Sequence, residues 1–400
     1  MTLSDEEKSV ERAPAAGGGE SLWRTAGAWR GVGVAFGIYV LTRVVQLVML
    51  AWLNHSAGHE GGVRGRLLVW DAGWFLKVAT TGYPHGYTED MAGRLQGNEL
   101  AFFPLYPMLI KLFAVFGTTP ETAAIAVSWV ASAGAALGLY LLGTSLYNRR
   151  TGYALAAICL TAPVSIVFSM AYSEGVFLAF VAGMLVAAHR RVWWAAGLLG
   201  LAAALTRPTG AAAALALAVA ALIEVGRIRR ERDASIWPPI AAAAVALAGV
   251  PAFLVWVGNR VGDPAAWFRI QAAGWGTSFD YGTSTIKFVS ETLADGDGWV
   301  PISVALILIA AAVAALVALA GKPWLPLAVY GVVAMVLVYG QAGFYHSKPR
   351  LLVPVLLTLL PAAIAAGRAR PRVAVLSITA WATFGLWYGA YLVAVWPYTI

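Results

Sequence analysis

Pro301-Ile302-Ser303-Val304-Ala305-Leu306-Ile307-Leu308-Ile309-Ala310-Ala311-Ala312-Val313-Ala314-Ala315-Leu316-Val317-Ala318-Leu319-Ala320 contains no charged side chain. As a helix rising 1.5 Å per residue, it would cover about 30 Å, the thickness of a bilayer's hydrocarbon. Comparable runs recur from Gly31 to the C-terminus. They are rich in Ala, Leu and Val and lack the period-2 alternation of membrane barrel strands. Backbone polar groups in lipid must be satisfied within the chain. The expected fold is therefore all-α, a polytopic integral membrane protein. Composition agrees: of 400 residues, 60% are hydrophobic and 12% charged, against about 25% charged in soluble domains. Mean hydropathy is +0.72.

Taken in order, the apolar runs give about eleven spans, near 31–53, 121–143, 153–171, 174–189, 192–206, 209–226, 238–258, 301–320, 324–340, 350–366 and 373–395. Short basic loops fall in every second gap: Asn148-Arg149-Arg150, His189-Arg190-Arg191, Arg227-Ile228-Arg229-Arg230, Gly321-Lys322 and Arg368-Ala369-Arg370. The positive-inside rule makes these loops cytoplasmic, together with the N-terminus, where Arg24 and Arg30 precede the first span. It also accounts for the net charge of +8 without invoking nucleic acid. The same parity places 54–120, 172–173, 207–208, 259–300 and 341–349 outside. It requires Pro104–Phe113, which is short, flanked by prolines and interrupted by Lys111, to be interfacial or re-entrant.

Residues 1–30 mix acids with Arg12 and Gly17-Gly18-Gly19 and read as a disordered cytoplasmic tail. The apolar run that follows is too long for a cleavable signal. Residues 31–400 read as one transmembrane domain with two large external loops, 54–120 and 259–300. The lone Cys159 lies in an apolar run, which leaves no intrachain disulfide and no cysteine metal site. There is no phosphate-binding Walker loop, no His/Cys cluster and no complete calcium loop; Asp295-Gly296-Asp297-Gly298 reads as a turn.

The outside segments hold ionisable and aromatic residues for which a lipid-embedded bundle has no structural need. Asp71 lies in Trp70-Asp71-Ala72-Gly73-Trp74-Phe75. Its aromatic neighbours would partly desolvate it, which suits a general base; a helix cap is the plainer role. Glu99 lies in a similar setting, as a second acid or a hydrogen-bond partner for a substrate hydroxyl. Tyr172-Ser173-Glu174 has the form of a turn with a helix cap, although Glu174 could line a cavity. Arg207 is a single arginine at the junction of two apolar helices, placed to snorkel or to bind phosphate. Phe344-Tyr345-His346-Ser347-Lys348-Pro349-Arg350 sets His346, Lys348 and Arg350 against the positive-inside trend. Such an exception calls for an anion, either a phosphate or lipid headgroups. Gly262-Asp263-Pro264, with Trp267, Gln271 and Trp275, opens the second loop.

With these segments in order over some 280 residues, the chain resembles the PIG-V-like mannosyltransferases, relatives of the enzyme that adds the second mannose of glycosylphosphatidylinositol anchors, within the GT-C class of membrane glycosyltransferases. The matching pieces are Trp70-Asp71 with Phe75, Ala101–Pro107, Tyr172-Ser173-Glu174, Arg207, Gly262-Asp263-Pro264 with Gln271 and Trp275, and His346–Arg350.

The resemblance implies GT-C-like architecture, a polyprenyl-phosphate donor, usually of mannose, a lipid, glycan or protein acceptor, and inversion at the anomeric carbon. It makes Asp71 the catalytic base. Arg207, His346, Lys348 and Arg350 become candidates to bind the donor phosphate, and Trp70, Glu99, Glu174, Asp263 and Gln271 candidates to bind substrate. Many members carry two adjacent acids in the first loop, whereas Ala72 follows Asp71 here. No metal ligand and no cofactor is therefore assigned, and a divalent metal is left open. High Ala and Gly content suggests a bacterial plasma membrane, with the site extracytoplasmic. The competing readings are a lipid-linked-sugar carrier without transferase activity and a structural subunit of another transferase.

Overall fold

The computed structural model describes residues 26–58 and 62–400. The expected tail lies outside them as far as residue 25, while residues 26–30 already belong to the first helix. The architecture is all-α. The first part contains α1 (Ala26–Ser56), α2 (Gly62–Arg66), α3 (Asp71–Thr81), the strands β1 (Thr88–Glu89) and β2 (Leu95–Gln96), and α4 (Leu105–Ala114). A central group follows: α5 (Pro120–Leu146), α6 (Arg149–Leu160), α7 (Glu174–His189), α8 (Trp193–Ala204), α9 (Gly210–Glu231) and α10 (Trp237–Val261). The chain ends with α11 (Ala266–Trp275), α12 (Thr283–Asp295), α13 (Trp299–Ala320), α14 (Leu325–Gly340), α15 (Lys348–Leu352), α16 (Leu356–Arg368) and α17 (Pro371–Ala394).

Among the described residues, six helices are long and apolar enough to cross a membrane: α1, α5, α9, α10, α13 and α17. The 3-10 turn at Tyr345–Ser347 with α15, together with α16, makes a seventh if that pair, bent by 52°, is one span. This differs from the eleven spans expected. The run 153–171 stops being helical after Leu160, ahead of Pro163, and the run 350–366 breaks at Pro354. Proline lacks an N–H and disfavours helical geometry in the residue before it. Helices α6, α7, α8 and α14 have 12 to 16 residues, about 18 to 24 Å at 1.5 Å per residue. The segment expected to be interfacial or re-entrant forms α4, ten residues and about 15 Å long.

Helix α5 packs on α1, α4, α6 and α7, α9 on α10 and α14, and α16 on α6 and α13. Small residues bring the axes close, as is usual where lipid supplies no hydrophobic drive between helices. A Cβ on Gly143 of α5 would lie 2.7 Å from the Cα of Gly152 on α6.

Residues 161–173, between α6 and α7, are buried throughout without forming an α-helix. Their backbone oxygens need donors, and side chains on two helices provide them. From α1, Arg43 bonds the carbonyls of Leu160 and Ser165 and the hydroxyl of Ser169. From α5, Ser132 Oγ donates to Phe168 O at 3.1 Å, Trp129 Nε1 to Ser169 O at 2.9 Å, and Ser128 Oγ to Tyr172 O at 3.0 Å. Arg43 is 5% exposed. Its charge sits at the C-terminus of α6, where the helix dipole favours a cation.

The segment between α2 and α5 carries the antiparallel β1–β2 ribbon, with Thr88 opposite Gln96. A small apolar cluster of Leu100 and Phe103 with Phe253 and Val257 of α10 and Ala266 and Ile270 of α11 anchors it to the bundle.

Candidate active site

Asp71 is the first residue of α3, and the residue before it, Trp70, has φ 57°. The left-handed region is costly for a bulky side chain, by about 1–3 kcal/mol, and such strain gathers at functional sites. The plain expectation for Asp71 was a helix cap. Trp70 holds the capping position instead, with no side-chain cap bond. The Asp71 carboxylate turns to Arg350 of α15, with Nη1 to Oδ2 at 2.7 Å. Similarly, Ser173 precedes α7 without capping it. Glu174 Oε1 lies 2.5 Å from Arg207 Nη1 and 3.4 Å from Arg350 Nε. The second contact is an ion pair only, since Arg350 Nε makes no hydrogen bond. Arg207 Nη1 also reaches Ser173 Oγ at 3.4 Å.

Asp71, Arg350, Glu174 and Arg207 thus alternate in charge along one chain of contacts, and their formal charges cancel. Their side chains are 22%, 11%, 2% and 12% exposed, in that order. Charges this buried are stable only when paired. Glu174 Oε2 is buried and without a hydrogen-bond partner among the described residues. Tyr172 joins the group: its ring lies 5.2 Å from the Arg350 guanidinium, and its hydroxyl accepts from the Asp71 N–H at 3.3 Å. Burial, followed by the nearby Asp71 charge, pushes that hydroxyl well above its ordinary value and keeps it protonated.

The four charges line a cavity of about 180 Å³ whose other walls include Phe75, Phe102, Phe103, Trp267, Trp275 and Phe344. The aromatic wall draws on four segments: α3, the loop before α4, α11 and the loop before α15. Trp74 stacks on Phe102 at 5.9 Å and meets the edge of Trp275 at 5.6 Å. Trp267 Nε1 and Gln271 Nε2 both donate to the Ala101 carbonyl, at 3.3 and 3.1 Å. Close approach of α11 to the loop needs two glycines, because a Cβ on Gly97 would lie 2.6 Å from the Gly274 Cα. Two larger cavities, of about 630 and 590 Å³, lie beside α17 with mainly apolar linings. Among the described residues, Arg150 and Tyr153 are the only ionisable side chains in either, so the smaller cavity holds the paired acids and bases.

Of the residues expected at the site, Asp71, Glu174, Arg207, Gln271 and Arg350 line the cavity, and Trp70, Glu99, Asp263, His346 and Lys348 do not. Each of these five is engaged elsewhere. Trp70 packs against the core. Glu99 pairs with Lys77. Asp263 bonds Tyr87 and sits 3.1 Å from Arg269; the Tyr87 hydroxyl and then the Ala265 N–H hold its carboxyl below the usual range. His346 Nε2 meets Thr399 Oγ1 at 2.9 Å. Lys348 Nζ donates to Val338 O at 2.9 Å and Gln341 O at 2.6 Å, satisfying carbonyls at the end of α14. Of the four residues expected to bind phosphate, Arg207 and Arg350 line the cavity.

Ala72 is fully buried and belongs to the core. Ala72 does not line the cavity, whose two carboxylates are Asp71 and Glu174 of α7. Among the described residues, no group of three or more His, Cys, Asp or Glu side chains is arranged to hold a metal ion.

Sequence reasoning missed Arg260, which donates to the carbonyls of Tyr83 and Pro84 at 2.7 Å each and lies 5.2 Å from the Trp256 ring. The signal was present: it is another arginine beside an external loop, the cue already used for Arg207. It also missed Thr206, Thr209 and Ser347, hydroxyl residues of the cavity wall.

No protein-family model and no curated protein matches the chain. Its backbone is similar to that of the Archaeoglobus fulgidus oligosaccharyltransferase in three solved structures. The apo form gives a TM-score of 0.47 at 12% identity, covering 90% of this chain and 56% of that one. The complex with Zn and sulfate gives 0.46 at 14%, covering 89% and 53%. The complex with an inhibitory peptide and a dolichol-phosphate gives 0.46 at 12%, covering 92% and 56%. The chain spans about half the length of those proteins.

Proposed function

We propose that the chain is a GT-C-class glycosyltransferase that moves a sugar, mannose by its resemblance to the PIG-V-like family, from a polyprenyl-phosphate donor to a hydroxyl acceptor. The observation that carries this reading is the alternation of two carboxylates and two guanidinium groups on one aromatic-walled cavity in a bundle of apolar helices. Transfer needs a base for the acceptor proton and cations for the departing phosphate, and this cavity has both. At about 180 Å³ it is small against the ~300–1,000 Å³ of ordinary ligand pockets, which suits a headgroup whose lipid stays in the membrane.

The reaction is a single in-line displacement. The acceptor oxygen attacks the anomeric carbon, its proton passes to Asp71, and the carbon–oxygen bond to phosphate breaks with inversion. The polyprenyl phosphate that leaves gains negative charge, which Arg207 and Arg350 stabilise. Aromatic faces such as Trp275 pack against the apolar face of the sugar. By the arginine-loop topology, the cavity opens on the extracytoplasmic side of a bacterial plasma membrane.

The test uses membranes containing the full chain, supplied with labelled polyprenyl-phosphate mannose. Wild type transfers label to an acceptor, and Asp71→Asn lowers the rate about 10²- to 10⁴-fold, the usual worth of a general base. Near-normal transfer by a normally expressed Asp71→Asn would end the assignment. Movement of headgroups across reconstituted vesicles without transfer would favour a carrier instead. Mass spectrometry of cell-envelope glycans from a deletion strain identifies the acceptor by the hexose it loses.

A further inference from the structure

The charges around the cavity already cancel, and both arginines are held by carboxylates. A phosphate that grips either guanidinium through two N–H groups competes with the carboxylate that now holds it. The two acids are not equally easy to displace. Glu174 is 2% exposed and is shared by Arg207 and Arg350. Asp71 is 22% exposed, opens onto the cavity, and has Arg350 as its only ion-pair partner among the described residues. Desolvating an unpaired carboxylate is the larger cost, so exchange is cheaper at Asp71. Arg350 is also suited to it, because a planar guanidinium can grip a phosphate with two N–H groups in place of one carboxylate oxygen.

We propose that the donor phosphate displaces Asp71 from Arg350, so that one event seats the leaving group and frees the base. This rests on the donor assigned above. While Asp71 Oδ2 accepts from Arg350, only Oδ1 is open to the acceptor's proton; once phosphate holds Arg350, both oxygens are. Glu174 stays on Arg207 and keeps the second arginine in place. The base is therefore fully released only when a donor is present.

The experiment measures binding of polyprenyl phosphate, the unreactive product, to the full chain in lipid nanodiscs. Competition between Asp71 and phosphate for Arg350 makes Asp71→Asn bind more tightly, in the 5- to 150-fold range of ordinary coupling between ligands, although the same variant is defective in transfer. In an Arg350→Gln background the gain disappears, because nothing is left to exchange. Unchanged or weaker binding by Asp71→Asn overturns the proposal. So does a gain that persists in Arg350→Gln, which would reflect net charge alone.

Should Arg350→Gln fail to fold, carbodiimide labelling of wild type decides. Reaction at Asp71, read by peptide mass spectrometry, rises several-fold when polyprenyl phosphate is added; unchanged or reduced reaction overturns the exchange. Absence of binding to both wild type and Asp71→Asn would remove the donor reading itself, and the exchange with it. Binding to wild type without a gain in Asp71→Asn would remove the exchange alone.

Discussion

Arg350 Nη1 lies 2.7 Å from Asp71 Oδ2, although 279 residues separate them. This contact fastens the short helix before the Pro354 break to the first turn of α3. Through Glu174 and Arg207 it extends to the starts of α7 and α9. Four remote segments share one set of charges, so the stability of the region is collective.

Glu174→Gln tests that sharing. It leaves Arg207 buried without a carboxylate, an error that costs about 3–5 kcal/mol. The double variant Glu174→Gln/Arg207→Gln removes both charges and should recover much of the loss, as read by thermal unfolding in detergent. Strictly additive losses would show that the pair is not coupled.

The contact between Asp263 and Tyr87, which ties the first external loop to the start of the second, should break in acid. The Asp263 carboxyl is depressed below its ordinary value by the Tyr87 hydroxyl and the Ala265 N–H. Its contribution is therefore complete above the unfolded value of about 3.9 and is lost as pH falls below it. Limited proteolysis between residues 84 and 96 should accelerate below about pH 4. Tyr87→Phe should raise cleavage at neutral pH as well.

Arg43→Leu should destabilise the bundle, since the carbonyls of Leu160 and Ser165 lose their donor. Each orphaned buried group costs about 1–3 kcal/mol. A fall in unfolding temperature without a shift in donor affinity would assign Arg43 to the scaffold alone; weaker donor binding at temperatures where the variant is folded would tie it to the site.

Ala72→Asp, the change that restores a second adjacent acid, should cost stability and add no activity. The side chain at 72 is fully buried in the core, where an unpaired carboxylate is expensive. Gly73→Ala is the control: nothing lies within 4 Å of a Cβ there, and a helix gains about 0.5–1 kcal/mol from the change. Unfolding midpoints moving in opposite directions would bear this out.

The apolar runs made the fold class readable, because composition alone decides whether a chain is solvated by lipid. The helix breaks at Pro163 and Pro354 were visible as prolines but were absorbed into runs whose mean hydropathy hid them. At the cavity, Asp71, Glu174, Arg207 and Arg350 were recognisable one by one as charges out of place near a membrane. Their pairing was not readable, because it depends on how four segments dock. Lys348 shows the limit most clearly. It lies two residues before Arg350, roughly 200° away around a helix, so one side chain reaches carbonyls at the end of α14 and the other reaches the cavity. Glu99 is similar: its partner Lys77 is 22 positions away, and nothing in the local sequence links them.

The segment 161–173, which forms no α-helix, means that Tyr172 and Glu174 owe their positions to donors on α1 and α5 that do not line the cavity. A saturation mutagenesis screen for activity should therefore light up two separate zones. One is the cavity itself. The other is a polar seam of Arg43, Ser128, Trp129 and Ser132 across α1 and α5, which a screen without coordinates would mistake for a second binding site.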